Sequence, residues 1–394
     1  MNTTPETSHP RRSRRTLSVL TNLALAAALS GLTASASAAA AAWEITATLI
    51  SSPDYSPPAM HDINDSRIIV GVYTEGTPDM CYWSKAGSDT GHFELSDDSF
   101  PIIGIEQLAT GINNSGIVSG IFYEEYEESE DDIRRVPHAV YWKLSAEGPD
   151  AGHDLGRGSS IGVNNNGHIF GYNSNNIWGY WDTNANDTWH DWAVSSDYYK
   201  TTAVASLNIT GNSSLYLRDI NDSNETAGYV TGQIDGKQQT HAGYWNAEGE
   251  FVDLGPGEAY GINNNGMIVG KDNNNDATVW ISKDGFDTWE TVNLEDLAEE
   301  VPALISGSGF LSVKLLQVMA GLGINDNNEI IANSYGSYYW GVDEPLEYWT
   351  LGFVLKLTAV AVPEAGATGA VAGVAAMLAA CAAMRRRQRG RGCF

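Results

Sequence analysis

Short apolar runs recur through the middle of the chain, each entered through a polar turn of one type. The turns read Asp62-Ile63-Asn64-Asp65-Ser66, Gly111-Ile112-Asn113-Asn114-Ser115-Gly116, Gly162-Val163-Asn164-Asn165-Asn166-Gly167, Asp219-Ile220-Asn221-Asp222-Ser223, Gly261-Ile262-Asn263-Asn264-Asn265-Gly266 and Gly323-Ile324-Asn325-Asp326-Asn327-Asn328. Their aliphatic residues fall at 63, 112, 163, 220, 262 and 324, at intervals of 49, 51, 57, 42 and 62 residues. Asn and Gly accept positive φ, and Asn side chains bond nearby amides, so each motif predicts a tight turn. The residues after each turn, such as Ile169-Phe170-Gly171 or Ile268-Val269-Gly270, make a short apolar run suited to a strand buried on both faces. A second element then ends in large rings: Cys81-Tyr82-Trp83, His138-Ala139-Val140-Tyr141-Trp142, Gly179-Tyr180-Trp181, His241-Ala242-Gly243-Tyr244-Trp245, Thr278-Val279-Trp280 and Tyr338-Tyr339-Trp340. This element predicts a partner strand whose rings cover the sheet.

A strand–turn–strand unit of about 50 residues cannot close a core alone and must bury its faces on its neighbours. The expected fold class is therefore all-β, a β-propeller-like ring of about six repeat units, because radial stacking protects strand edges. Trp43-Glu44-Ile45-Thr46-Ala47-Thr48-Leu49-Ile50 alternates apolar and polar residues, as residues 351–360 do in part. One such segment at each end of the body predicts two strands in one blade that seal the ring. Three segments break the rhythm. Residues 182–215, polar and Asn/Ser-rich, predict a long surface loop; residues 293–300 predict one short helix. The acidic run at 124–132 predicts a solvated loop tip.

The repeat resembles the HAF family of bacterial extracellular repeats, whose members carry Gly-Ile-Asn-x-x-Gly-x-x-x-Gly, then His-Ala-x-x-Trp, then Asp-Leu-Gly. Residues 111–120, His138 to Trp142 and His153-Asp154-Leu155-Gly156 give that string nearly complete, and His241 to Trp245 with Val252-Asp253-Leu254-Gly255 repeats it. The resemblance implies a propeller-like exported protein and no reaction.

The two ends read as addresses, which divides the chain into 1–42, 43–361 and 362–394. Arg11, Arg12, Arg14 and Arg15 precede an apolar run at 17–29 and then Ala34-Ser35-Ala36-Ser37-Ala38. This is the order of a secretory signal peptide, with cleavage by signal peptidase expected after Ala36 or Ala38. The paired arginines also resemble a twin-arginine export signal. At the other end Val362, Pro363 and Glu364 precede twenty uncharged residues, 365–384, and then Arg385, Arg386, Arg387 and Arg389. Twenty apolar residues match a bilayer span, and the arginines orient it with the tail in the cytoplasm. This end resembles the PEP-CTERM sorting domain, departing from it at Ala365, where a second proline is usual. The resemblance implies cutting near 362–365 by an exosortase-type sorting enzyme and delivery of the body to the cell surface or extracellular polymer. A plain C-terminal membrane anchor shares the same physics.

Charge narrows the partners. Between Trp43 and Ala361 stand thirteen basic and 47 acidic residues, a net −34, which repels phosphate backbones and argues against nucleic acid. Three cysteines leave only Cys81 outside the span and tail, so no intramolecular disulfide is expected in the body. Gly158-Ser159-Ser160-Ile161-Gly162 matches the nucleophile elbow of esterases, but the elbow requires a following helix and here another turn comes next. His138 and His241 hold the same repeat position, and repeated groups are architectural. His190-Asp191 lies in an aromatic-flanked stretch with no matching base or nucleophile nearby. Asp182, Asn184, Asn186 and Asp187 alternate oxygens as a calcium loop does, without its sixth-place Gly or its twelfth-place acid, which is Ala193. Residues 271–276 are oxygen-rich without ligand spacing. No catalytic, cofactor or metal residue is assigned, although so acidic a body would attract calcium non-specifically.

The expected function is thus an exported, non-enzymatic binding or structural module, with extracellular polysaccharide as its natural partner. One alternative is a secreted polysaccharide-active hydrolase or lyase, which would need catalytic groups converging on a cleft. The other is a calcium-dependent adhesion module.

Overall fold

The turn chemistry and the apolar runs do form antiparallel pairs. A computed structural model describes residues 42–49, 59–73, 79–83, 92–94, 108–129, 132–145, 148–192, 196–283, 288–297, 313–338 and 347–360. The processing residues Ala36, Ala38, Val362, Pro363 and Glu364, the orienting arginines 385–387 and 389, and the expected span at 365–384 lie outside them. Among the described residues no helix is long and apolar enough to cross a membrane.

The described chain is mostly strand. β1 (Ala42–Leu49) is followed by β2 (Ala59–Ile63), β3 (Ile69–Tyr73), β4 (Asp79–Trp83) and β5 (His92–Glu94), and β2 to β5 form the first four-stranded set in that order. β6 (Leu108–Ile112), β7 (Ile117–Ser129), β8 (Asp132–Ser145) and the first half of β10 (His153–Val163) form the second, with β9 (Gly148–Pro149) at its edge. The second half of β10 starts the third, continued by β11 (His168–Asn173), β12 (Trp178–Asp182) and β13 (Thr188–Asp191). After helix α1 (Ser196–Ser206) come β14 (Thr210–Ile220), β15 (Thr226–Ile234), β16 (Lys237–Trp245) and the first half of β17 (Phe251–Ile262). The rest of β17 leads into β18 (Met267–Asp272), β19 (Ala277–Ser282) and β20 (Trp289–Asn293). The one-turn helix α2 (Leu294–Leu297) precedes β21 (Val313–Ile324), β22 (Glu329–Tyr338) and β23 (Glu347–Val360). The outermost strand of that last set is β1, so the two end segments share a sheet, as their alternation predicted. Counted by hydrogen bonding these are four open sheets, none closed on itself.

Two strands serve two sets each. Residues 153–157 of β10 pair with β8, and residues 158–163 pair with β11. β17 divides in the same way, pairing with β16 up to Pro256 and with β18 from Gly257. The changeover needs glycine. Gly158 and Gly257 have φ of 151° and 152°, and a Cβ there would lie 2.3 Å from Tyr172 O and 2.5 Å from Lys271 O. The esterase-like string at Gly158 is therefore a strand crossing between sheets, continued by a turn and β11 rather than a helix.

Burial repeats with the sequence. Ile69, Val118, Ile169, Val230, Ile268 and Ile331, from the strands after the turns, are all completely buried. Trp142, Trp245 and Trp280, from the aromatic elements, are buried beside them. The apolar clusters lie between consecutive sets. Val70 meets Val118 and Trp142; Tyr141 meets Ile169 and Trp181; Phe170 meets Val230 and Trp245; Tyr244 meets Ile268 and Trp280; Val279 meets Ile330 and Phe353. The last cluster joins Ile331 and Val354 back to Met60, Ile63 and Ile69 of the first set. No set has a core of its own, and truncating one of these buried rings to Ala should cost about 3–5 kcal/mol.

Three expectations are corrected. Residues 182–215, expected as a loop, contain β13, α1 and the start of β14, because Tyr199 and Ala203 of α1 bury against Val230 and Trp245. The acidic run at 124–132 is strand for most of its length. The β7–β8 register continues past Tyr123 and pairs residues 124–127 with 133–136 across the hairpin. In the last unit Tyr338 ends β22 rather than its partner strand, which is β23; Tyr339 and Trp340 lie outside the described residues. The short helix expected at 293–300 is present as α2, with Leu294 buried.

Candidate functional site

The six turns meet one another. In each, the first Asn is buried, and its Oδ1 accepts two amides of its own turn. Asn113 takes those of Ser115 (3.0 Å) and Ile117 (2.9 Å), and its Nδ2 donates to Asn164 O at 2.9 Å in the next unit. Equivalent bonds run from Asn64 to Asn113, Asn164 to Asn221, Asn263 to Asn325 and Asn325 to Asn64. Asn221 departs, donating to Glu225 within its own turn. The next residue in each turn makes an unbroken circuit. The amides of Asp65, Asn114, Asn165, Asp222, Asn264 and Asp326 donate in succession to the side-chain oxygen of the following one, and Asp326 returns to Asp65 at 2.9 Å.

The position before the aliphatic residue is Gly in four copies and Asp in the first and fourth. Asp62 accepts the amides of Ile63 and Ile112, and Asp219 those of Ile220 and Ile262, so each carboxyl ties its own unit to the next. Burial, together with the other's charge, pushes Asp62 well above the ordinary carboxylate range, and burial above all lifts Asp219 to about 7. Both border a small cavity of about 50 Å³ lined by the turns, room for a few waters.

One residue further back, every unit contributes to a second, larger cavity of about 510 Å³. Two places before the aliphatic residue stand His61, Thr110, Ile161, Arg218, Tyr260 and Leu322, one per unit, and all six line it. Tyr172, Trp178 and Tyr216 add aromatic wall, with Tyr216 42% exposed. This is within the 300–1,000 Å³ of small-molecule pockets, and its blend of rings and few polar groups is the usual one.

Two polar groups stand out. The His61 Nδ1 bonds to Ala109 O, which leaves Nε2 as an acceptor. Burial, with the charge of Arg218, draws the His61 pKa below 6.5 against the pull of that carbonyl bond, so the ring is neutral at pH 7. Arg218 donates to Tyr229 Oη at 2.8 Å and lies 5.3 Å and 6.0 Å from the centres of the Tyr229 and Tyr260 rings. It makes no ion pair with a described carboxylate. Glu258, which accepts from Tyr260 Oη at 2.5 Å, is paired with Lys271 at 3.4 Å.

No protein-family model matches this chain, and no curated protein matches it. Among solved structures it is similar to an α-L-arabinofuranosidase from Podospora anserina in complex with cellotriose, at 11% identity and TM-score 0.32 over 80% of this chain and 97% of that one. It is similar also to a Trypanosoma rangeli sialidase in complex with the inhibitor DANA (8%, TM-score 0.37, 79% of this chain and 57% of that one). A third is a GDP-Man-dependent mannosyltransferase from Leishmania mexicana (12%, TM-score 0.27, 82% and 91%). Likenesses this distant carry no function to this chain.

Most residues singled out in the sequence lie away from the cavity. His138 Nδ1 is 3.1 Å from Asp154 and His241 Nδ1 is 2.9 Å from Asp253, so the His of each His-Ala element is tied to the Asp of the next Asp-Leu-Gly. His190 stacks on Tyr180, and Asp191 accepts from the Trp189 indole at 2.6 Å. Of the calcium-like oxygens, Asp182 caps the amide of Asn184 and Asp187 accepts from Tyr141 Oη. In residues 271–276 Asp272 caps the amides of Asn274 and Asp276. Ser160 donates to Gly120 O at 2.6 Å. From this group only Ser159, Ser160 and Ile161 reach the cavity lining. The other lining residues belong to no motif. Aligning the six turns and reading two places upstream finds one per unit, a column in which no residue recurs.

Proposed function

We propose that this chain is an exported, non-enzymatic binding module built as a six-unit propeller-like ring, whose axial cavity takes a sugar of one or two rings. The observation that carries the reading is the column of six differing side chains lining one aromatic-walled cavity of about 510 Å³. Ring faces of Tyr172, Trp178 and Tyr216 suit the apolar faces of sugar rings. The non-enzymatic reading is supported by the lining itself. A glycosidase of the common kind needs a pair of carboxylates across its site, and among the described residues that line this cavity there is no Asp or Glu. Export by the signal at 1–42, membrane retention by 365–384, release near 362–365 and delivery to extracellular polymer complete the proposal. Titrating the full chain with neutral and acidic disaccharides while following Trp fluorescence tests it. Saturable quenching that Trp178→Ala and Tyr216→Ala weaken at least tenfold is expected. Quenching unaffected by either, or sugar release from a polysaccharide panel, would refute the reading.

A further inference from the structure

Resting on that reading of the cavity, we infer that its ligand is an acidic sugar, a uronic acid residue whose carboxylate is held by Arg218. Among the six residues of the lining column, Arg218 is the one fixed cation. It is also held ready. Its guanidinium donates one bond to Tyr229 Oη at 2.8 Å and rests against the rings of Tyr229 and Tyr260. That leaves further N–H groups, and a guanidinium presents them in the fork that matches a carboxylate.

In a body carrying −34, arginines are normally consumed by acids. Arg67 is paired with Glu329, and Arg157 lies 3.6 Å from Glu124. Arg218 is steadied by phenol rings instead, while the nearby Glu258 is taken by Lys271 and Tyr260. An aromatic mount fixes direction without neutralising charge, which is what an anion-binding arginine requires.

The rest of the column is consistent with a sugar on the other side of that carboxylate. His61 and Arg218 come from the first and fourth units, opposite positions in a circuit of six. Neutral His61 offers Nε2 as an acceptor for a hydroxyl. The field of the whole body disfavours anions, but burial works against the charge of the two acids that adjoin cavity residues in the chain. Asp62 follows His61 and Asp219 follows Arg218, and burial raises both, Asp219 to about 7. Below neutrality these two carboxyls therefore add little negative charge beside His61 and Arg218.

The test titrates the full chain with digalacturonate and dimannuronate, each beside the disaccharide whose carboxyls have been reduced to alcohols. At least one acidic form should bind about tenfold or more tightly than its neutral counterpart. Arg218→Gln should abolish the preference, and Arg218→Lys should keep part of it because the charge remains and the fork does not. Near-ultraviolet circular dichroism of the variants checks that the ring is intact. Equal binding of acidic and neutral forms would overturn the assignment of Arg218 while leaving the sugar cavity standing. A preference that survives Arg218→Gln in a folded protein would overturn it too. Binding of none of the four would overturn the cavity reading itself.

Discussion

Asn113 and Asn114 are neighbours in one turn and should differ sharply in what they contribute. Asn113 is 3% exposed and makes three bonds: two amides accepted within its turn and one donated across to Asn164. Asn113→Ala removes all three, at about 1 kcal/mol net each, and strands the buried Ile117 amide at about 1–2 kcal/mol more. The expected cost is about 4–5 kcal/mol, a large share of the 5–15 kcal/mol typical of a folded protein. Asn114 is exposed, and its side chain exchanges bonds with Asp65, accepting its amide at 2.8 Å and donating to its carboxylate at 2.7 Å. Water replaces these at little cost, so Asn114→Ala should lose about 1 kcal/mol or less. Urea unfolding of both variants at one pH, with slopes compared, measures this. Asn221→Ala provides an internal control. Its side chain also makes three bonds, all within its own turn, so Asn221→Ala should cost about as much as Asn113→Ala, about 4–5 kcal/mol, without removing a bond to the next unit. If the two variants of the second turn lose equal stability, or Asn113→Ala loses under about 1 kcal/mol, the turns do not couple the units.

Acid should stabilise the contacts between turns that Asp219 makes. The folded Asp219 carboxyl holds its proton to about 7 and an unfolded one only to 3.8, so this contribution is complete below about 4 and is lost as pH rises through 7. The full displacement corresponds to at most about 4 kcal/mol. Asp219→Asn should flatten the urea midpoint between pH 4.5 and 7.5, and an unchanged slope would contradict the buried-acid account. Arg67 occupies the turn position that is glycine in three other copies, at φ 62°, and its Nε donates to buried Glu329 of the last unit at 2.9 Å. Arg67→Asn tolerates that backbone but removes the ion pair, and should cost about 1–2 kcal/mol, an amount that Glu329→Gln in the same chain largely cancels. Gly158→Ala should cost at least about 2 kcal/mol, because the new Cβ would overlap Tyr172 O, and melting temperature reads it.

The features legible in the sequence were those that depend on neighbours in the chain. Asn and Gly in the turns need only their own backbone to specify a reversal, and positions 116, 167 and 266 take the positive φ that glycine allows. The place of His138 and His241 was legible as architecture, since a repeated ring has a repeated partner, here Asp154 and Asp253. Elements decided by distant contacts were not. Helix α1 has a polar sequence, and only the pocket made by Val230 and Trp245 gives Tyr199 and Ala203 a reason to be buried. The acidic run at 124–132 gains its ladder from the backbone of residues 132–136 across the hairpin, which composition alone does not register. The cavity was hidden because its residues share a repeat position but no chemistry. A search for a catalytic set looks for residues alike in kind; His61, Thr110, Arg218 and Tyr260 are alike only in place.

The expected cleavage points and the sheet edges bear on each other. Strand β1 begins at Ala42, and β23 ends at Val360. Cleavage after Ala36 or Ala38 falls a few residues before the first, and cutting at 362–365 falls just after the second. β1 is the outer strand of the last set, and its Trp43 and Ile45 pack on the cluster that holds Phe353 and Leu355. A cut past Ile45 would strip that strand, expose the edge of β23 and lose the burial of both side chains, about 1.5–3 kcal/mol each if fully buried and less here. Selection for a stable body therefore favours processing outside 42–360. Intact-mass measurement of the protein recovered from the cell surface should give an N-terminus between residues 37 and 42 and a C-terminus between 361 and 365. A mature N-terminus beyond Trp43 in a folded protein would show that β1 does not close the last sheet in the cell.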